Sequence, residues 1–92
     1  MTEKTSVRDL IELPGPFTFK IIVKPDLVPQ SRIIEVAASS LARALDGHRL
    51  SSRASAKANY KAYTLEIHIL EFEEIENLYR AYRRIDGVVM VL

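Results

Sequence analysis

The stretch Tyr60-Lys61-Ala62-Tyr63-Thr64-Leu65-Glu66-Ile67-His68-Ile69-Leu70 alternates in polarity almost throughout. Tyr63, Leu65, Ile67 and Ile69 fall on one side, with Ala62, Thr64, Glu66 and His68 on the other. Successive strand side chains point to opposite faces, so this spacing predicts a central β-strand covered on one face only. Residues 17–24 repeat the pattern, with Phe17, Phe19, Ile21 and Val23 opposed to Thr18, Lys20, Ile22 and Lys24. Two weaker segments complete the set. Residues 48–56 are rich in Ser and Arg and poor in β-branched side chains, which suits an edge strand, and residues 88–92 form a last apolar strand.

Between the strands the period changes from two to that of a helix. Pro25, Asp26 and Pro29 mark a turn, after which Ile33, Ile34, Ala37, Leu41 and Leu45 recur near i, i+4 and i+8. That spacing predicts an amphipathic helix ending around Gly47. Phe72, Ile75, Leu78, Tyr79 and Tyr82 define a second helix. Its first turns carry Glu71, Glu73, Glu74 and Glu76 and its last Arg80, Arg83 and Arg84, a charge order that complements the helix dipole; Gly87 then stops it. The order strand, helix, strand, strand, helix, strand, with one apolar face per element, predicts an α+β ferredoxin-like sandwich. Two helices would cover one face of a four-stranded antiparallel sheet. Right-handed crossovers put the first and third strands in the middle and the second and fourth at the edges. Ahead of this domain, placed at residues 16–92, lies an arm of residues 1–15. In it Ser6 and Asp9 resemble a capping box before Val7, Leu10 and Ile11, so a short helix is expected before Pro14.

Composition limits the function. The 92 residues suffice for one core, and 48% hydrophobic with 27% charged residues is the profile of a globular domain. With 13 basic and 12 acidic residues the formal charge is +1, which by itself favours neither nucleic acid nor membrane as partner. Cysteine is absent, which excludes disulfides, thiolate metal sites and cysteine nucleophiles. No stretch approaches the roughly 18 apolar residues of a membrane span, and no signal-peptide pattern opens the chain, so a cytoplasmic location is expected.

The uncovered sheet face, carrying Thr18, Lys20, Ile22, Thr64, Glu66 and His68, is the natural place for function. RNA-binding versions of this architecture stack bases on aromatic rings of the central strands. Here Tyr60 and Tyr63 are three apart and point to opposite faces, so Tyr60 alone makes no stacking platform and nucleic-acid binding is at most weak. Charge is unevenly distributed. Arg49, Arg53, Lys57 and Lys61 lie in a segment from His48 to Thr64 without an acid, whereas Glu66 to Glu76 holds five acids and neither Lys nor Arg. Such a segment can be a solvated edge guarded against strand pairing, or a surface for a carboxylate, phosphate or acidic protein. His48 and His68 are the only histidines, too few for a metal site, and no serine is set beside a histidine and a carboxylate. No glycine-rich phosphate loop can be built from three glycines. The residues argue against catalysis and call for no cofactor or metal.

The runs Leu13-Pro14-Gly15-Pro16-Phe17-Thr18-Phe19-Lys20, Ser55-Ala56-Lys57-Ala58-Asn59-Tyr60, Ile75-Glu76-Asn77-Leu78-Tyr79-Arg80 and Ile85-Asp86-Gly87-Val88-Val89-Met90-Val91-Leu92 together resemble the YbeD-like family of small bacterial proteins. The resemblance covers nearly the whole chain from about Leu10. It implies a ferredoxin-like fold similar to that of ACT domains, regulatory modules that often pair side by side. Members are sometimes encoded beside lipoate-synthesis genes, which implies a metabolic accessory role. Two departures stand out. Ala58 replaces a glycine of the family's hairpin, and the loop Lys24-Pro25-Asp26-Leu27-Val28-Pro29 lacks the glycine with which amino-acid-binding ACT domains approach their ligand. The reading is an ACT-like regulatory or protein-interaction module, homodimeric or bound to a protein partner. The alternative is a sensor of a small anionic metabolite through the basic hairpin. Candidate contact residues are Arg49, Arg53, Lys57, Tyr60, Lys61, Lys20, Glu66 and His68.

Overall fold

A computed structural model describes residues 12–45, 47–55, 57 and 59–92. Both the short helix expected before Pro14 and the hairpin tip at Ala58 involve positions outside these described residues. Four strands and two helices follow one another as β1 (Gly15–Val23), α1 (Gln30–Leu41), β2 (Arg49–Ala54), β3 (Lys61–Ile69), α2 (Phe72–Arg83) and β4 (Val88–Val91). The sheet order is β2-β3-β1-β4, and every neighbouring pair is antiparallel. This is the expected ferredoxin-like α+β fold with the two alternating strands at its centre.

Register follows from burial. β1 pairs with β3 so that Phe17 faces Ile67, Phe19 faces Leu65 and Ile21 faces Tyr63. A slip of one residue would turn these apolar sets to solvent, so the core itself fixes the alignment. Against this side pack Ile33 and Ala37 of α1 and Ile75, Leu78 and Tyr82 of α2. Phe19 lies at the centre, with the Tyr79 ring edge-on at 5.2 Å and Tyr82 at 6.5 Å. The two buried tyrosines spend their hydroxyls on α1 and its approach. Tyr63 donates to the Val28 carbonyl at 3.0 Å and Tyr82 to the Ile33 carbonyl at 2.7 Å. Burial pushes both phenols up from their ordinary pKa, so they remain protonated donors.

α1 departs from the sequence expectation. Instead of running to Gly47 it stops at Leu41, and Ala42 turns left-handed (φ 56°) while donating its N–H to the Ala38 carbonyl. Arg43 anchors the departing chain. Its guanidinium binds both carboxylate oxygens of Glu74 at 2.8 and 3.0 Å and also reaches the His68 carbonyl at 2.9 Å. This three-way contact ties the chain leaving the helix to the β3–α2 junction. Leu45 then packs against the core from the connecting loop. α2 keeps its expected charge order, with Glu73 and Glu74 in the first turn and Arg80 and Arg83 in the last. Among the described residues, no helix is long and apolar enough to cross a membrane.

Candidate functional site

Cross-strand partners project to the same side of a sheet, so the pairings reveal what the helices leave uncovered. One row runs Arg49, Glu66, Thr18 across β2, β3 and β1. The next runs Ser51, Thr64, Lys20 and ends on Leu92, because Lys20 and Leu92 exchange both backbone hydrogen bonds at 3.0 and 2.7 Å. A third joins Arg53, Ala62, Ile22 and Met90. The face is therefore divided. Its β2 side is polar and basic, while its β4 side is an apolar strip in which Met90 and Leu92 are 51% and 58% exposed. β4 is bulged opposite Ile22 and Val23, which leaves Val89 half-exposed beside the strip.

The structure sorts the candidate residues. Lys20, Arg49, Arg53, Glu66 and His68 share the open face, His68 lying opposite Pro16 at one end. Arg49 approaches the Glu66 carboxylate at 4.0 Å, a loose pair whose charges partly offset each other. Arg53 makes no hydrogen bond or ion pair among the described residues. It lines a concavity of about 460 Å³ together with Ile22, Ala54, Ser55, Tyr60 and Ala62. Tyr60, 44% exposed, stands at its rim, held by a backbone N–H bond to the Ser55 hydroxyl. Lys61 is not part of this group. It pairs with Val23 and Ala54, which places it on the opposite side, where its ammonium lies 5.5 Å from the centre of the Tyr63 ring. Lys57 is exposed in the hairpin turn, and Tyr60 is the one aromatic side chain on the open face among the described residues.

Reading the sequence alone missed Arg43. Nothing in its local pattern distinguishes it from a solvated helix arginine, since its partner Glu74 lies 31 positions away. The pair is functional in the sense of positioning: it ties the chain leading into β2 to the β3–α2 junction, where the Leu70 N–H also donates to Glu74. The Arg43 hydrogen bonds hold the Glu74 carboxyl below its ordinary pKa. Among the described residues, no cluster of His, Asp or Glu is arranged to hold a metal ion.

A small ferredoxin-like domain with one face of its sheet uncovered is the class of protein this geometry defines. The chain belongs to the family described as Protein of unknown function (DUF493), whose model it matches over residues 8–92. It is 35% identical over 91 residues to a UPF0250 protein of Klebsiella pneumoniae, covering 97% of this chain and 99% of the relative. It is 34% identical, with the same coverage, to the UPF0250 protein YbeD of Escherichia coli, in keeping with the resemblance drawn from its motifs. The solution structure of protein HP0495 from H. pylori superposes with a TM-score of 0.75, covering 100% of this chain and 96% of that one at 15% identity. That likeness supports the fold.

Proposed function

We propose that this domain is a non-catalytic, ACT-like regulatory module that acts by binding a partner protein through the open face of its sheet. The observation that carries this reading is the strip formed by Ile22, Ala62, Met90 and Leu92, apolar and uncovered on a face whose other half is basic. Large exposed apolar side chains grouped beside charge are the composition of a contact surface. Among the described residues of this face, Lys20, Arg49 and Arg53 outnumber the acid Glu66, so a second copy docked face to face would bring like charges together. A partner with an apolar segment and acidic flanks suits it better than self-association. A photo-crosslinking residue at position 90 should trap that partner, while one at Glu73 on the helical side should not. Light scattering decides the oligomeric state in parallel. Equal trapping at both positions, or none at either from a strict monomer, overturns the reading.

A second reading is favoured by the Arg53 concavity, where a guanidinium with no hydrogen bond or ion pair among the described residues shares the lining with the apolar Ile22 and Ala62. That combination suits a small carboxylate with an apolar body. At about 100 times its dissociation constant such a ligand adds about 2.7 kcal/mol. A thermal-shift series with aliphatic and aromatic carboxylates should therefore stabilise the native chain and not Arg53→Ala. No shift across the series removes this reading.

A further inference from the structure

On the opposite side of the molecule, far from the open face, the exposed flanks of α1 and α2 enclose a groove of about 440 Å³. We propose that this groove binds a small phosphate-bearing ligand carrying at least two negative charges. The antiparallel strands make the two helices run in opposite directions, so the first turn of α1 lies beside the last turn of α2, and the Tyr82 bond to the Ile33 carbonyl fixes that contact. Three guanidinium groups consequently converge on the groove, from Arg32, Arg80 and Arg84.

The arginines of α2 have an ordinary explanation, since cations suit a helix C-terminus. Arg32 has none. It is the third residue of α1, at the end where the helix dipole disfavours a cation, and no acid stands in that first turn. Its ion pair with Glu35 is 3.7 Å long, with the side chains 53% and 68% exposed, and contributes little. Arg80 donates one hydrogen bond to Asn77, and Arg84 has no side-chain partner among the described residues. Three cations against one acid leave an excess of two positive charges around a concavity, an arrangement that costs stability until an anion fills it.

The chemistry of the lining narrows the ligand. Guanidinium forks match phosphate oxygens two at a time, and the Ser39 and Ser40 hydroxyls with the Asn77 amide add neutral donors farther along the groove. The volume suits a small metabolite. A nucleic-acid strand fits poorly, because Glu35 lines the groove and Glu73, Glu74 and Glu76 occupy the preceding turns of α2, so the positive potential does not continue along the helices.

Amide chemical shifts of the full chain, followed during titration with inorganic phosphate and pyrophosphate, test the proposal. Saturable changes are expected at Ser39, Ser40, Asn77, Arg80 and Arg84, with pyrophosphate the tighter ligand. Arg32→Ala and Arg84→Ala should each weaken pyrophosphate about tenfold, the effect of losing one charge-assisted contact. Neither should lower the melting temperature of the ligand-free protein, because each relieves repulsion. Arg84→Lys, which keeps the charge and loses the fork, should fall between, and Arg53→Ala should change nothing. The proposal is overturned if no saturable shift develops up to about 10 mM pyrophosphate. It is equally overturned if the shifts map to the open face, if they survive the arginine substitutions, or if a short RNA binds this groove more tightly than pyrophosphate with a steep salt dependence.

Discussion

The two helices return to the sheet by different means. α2 reaches β4 through residues 84–87, a short connection made of backbone turns: Arg84 donates to the Ala81 carbonyl, Ile85 to that of Tyr82 and Val88 to that of Ile85. α1 reaches β2 through residues 42–48, and along this longer path side chains make the contacts among the described residues: Arg43 binds Glu74 and the His68 carbonyl, and the His48 ring meets the Leu45 carbonyl at 2.9 Å. Each return places one edge of the open face, the short one setting Met90 and Leu92 and the long one setting Arg49 and Arg53. The return to the apolar half is thus made by backbone turns, whereas the return to the basic half adds a long-range ion pair to the pairing of β2 with β3.

The short return should break hardest. Gly87 sits at φ 101°, a region that side chains rarely adopt, and a Cβ there would come 2.6 Å from the Leu27 Cβ and 3.0 Å from the Val28 Cγ2. Its carbonyl accepts from the Lys24 N–H at 2.8 Å, so the residue cannot simply move away. Gly87→Ala should cost about 3 kcal/mol, from backbone strain and overpacking together, and lower the melting temperature by more than about 10 °C. Because β4 is the element displaced, crosslinking from position 90 should fall in the same variant. A mutant that melts like the native chain would show that this connection is not the tight one.

Arg43→Ala should open the long return. Losing hydrogen bonds to a half-buried carboxylate costs about 2 kcal/mol. Amide exchange should quicken in β2 and in residues 42–48 while β1 and β4 keep their protection, which separates this effect from general destabilisation. The same pair predicts a pH dependence. The Glu74 carboxyl is held below its ordinary value of 4.5 mainly by the Arg43 hydrogen bonds, so the folded state favours its ionised form. That stabilisation is present above the unfolded-state pKa and is lost as pH falls through the lowered folded value. Urea titrations of native and Arg43→Ala protein should therefore differ most near neutral pH and converge as pH falls through the lowered folded-state value. A gap that stays constant with pH would remove the ion pair from the account.

Much of this molecule was legible from its residues because burial leaves a local trace. Period-two alternation in Phe17 to Val23 and Tyr63 to Ile69 located the central strands, and the face each residue occupies followed by parity. Tyr60 and Tyr63 separate by the same argument, and parity with Tyr63 sends Lys61 to the helical side, whereas the side of Arg53 follows only from its pairing with Ala62. The apolar half of the open face was harder to foresee. Met90 and Leu92 read as an ordinary terminal strand until the exchange of hydrogen bonds between Leu92 and Lys20 places them beside Ile22. Arg43 and the groove between the helices left no local trace, because both depend on residues brought together from distant parts of the chain.

The smallest effect tests that last point most directly. Hydrophobic spacing carried α1 on through Leu45 to Gly47, yet Ala42 already leaves the helix in a left-handed conformation, which costs an alanine about 1 kcal/mol relative to glycine. Ala42→Gly removes this strain and keeps the N–H bond to the Ala38 carbonyl, while the greater freedom of glycine in the unfolded chain returns part of the gain. The net expectation is stabilisation of about 0.5 kcal/mol, a rise of about 2–4 °C in melting temperature. If α1 instead continued toward Gly47, residue 42 would lie inside a helix, and the same substitution would destabilise by roughly 0.5–1 kcal/mol. The sign of the change thus separates the two descriptions. A positive shift places the turn at Ala42, where Arg43 is released to reach Glu74, and a negative one would return the basic edge of the sheet to control by helix periodicity.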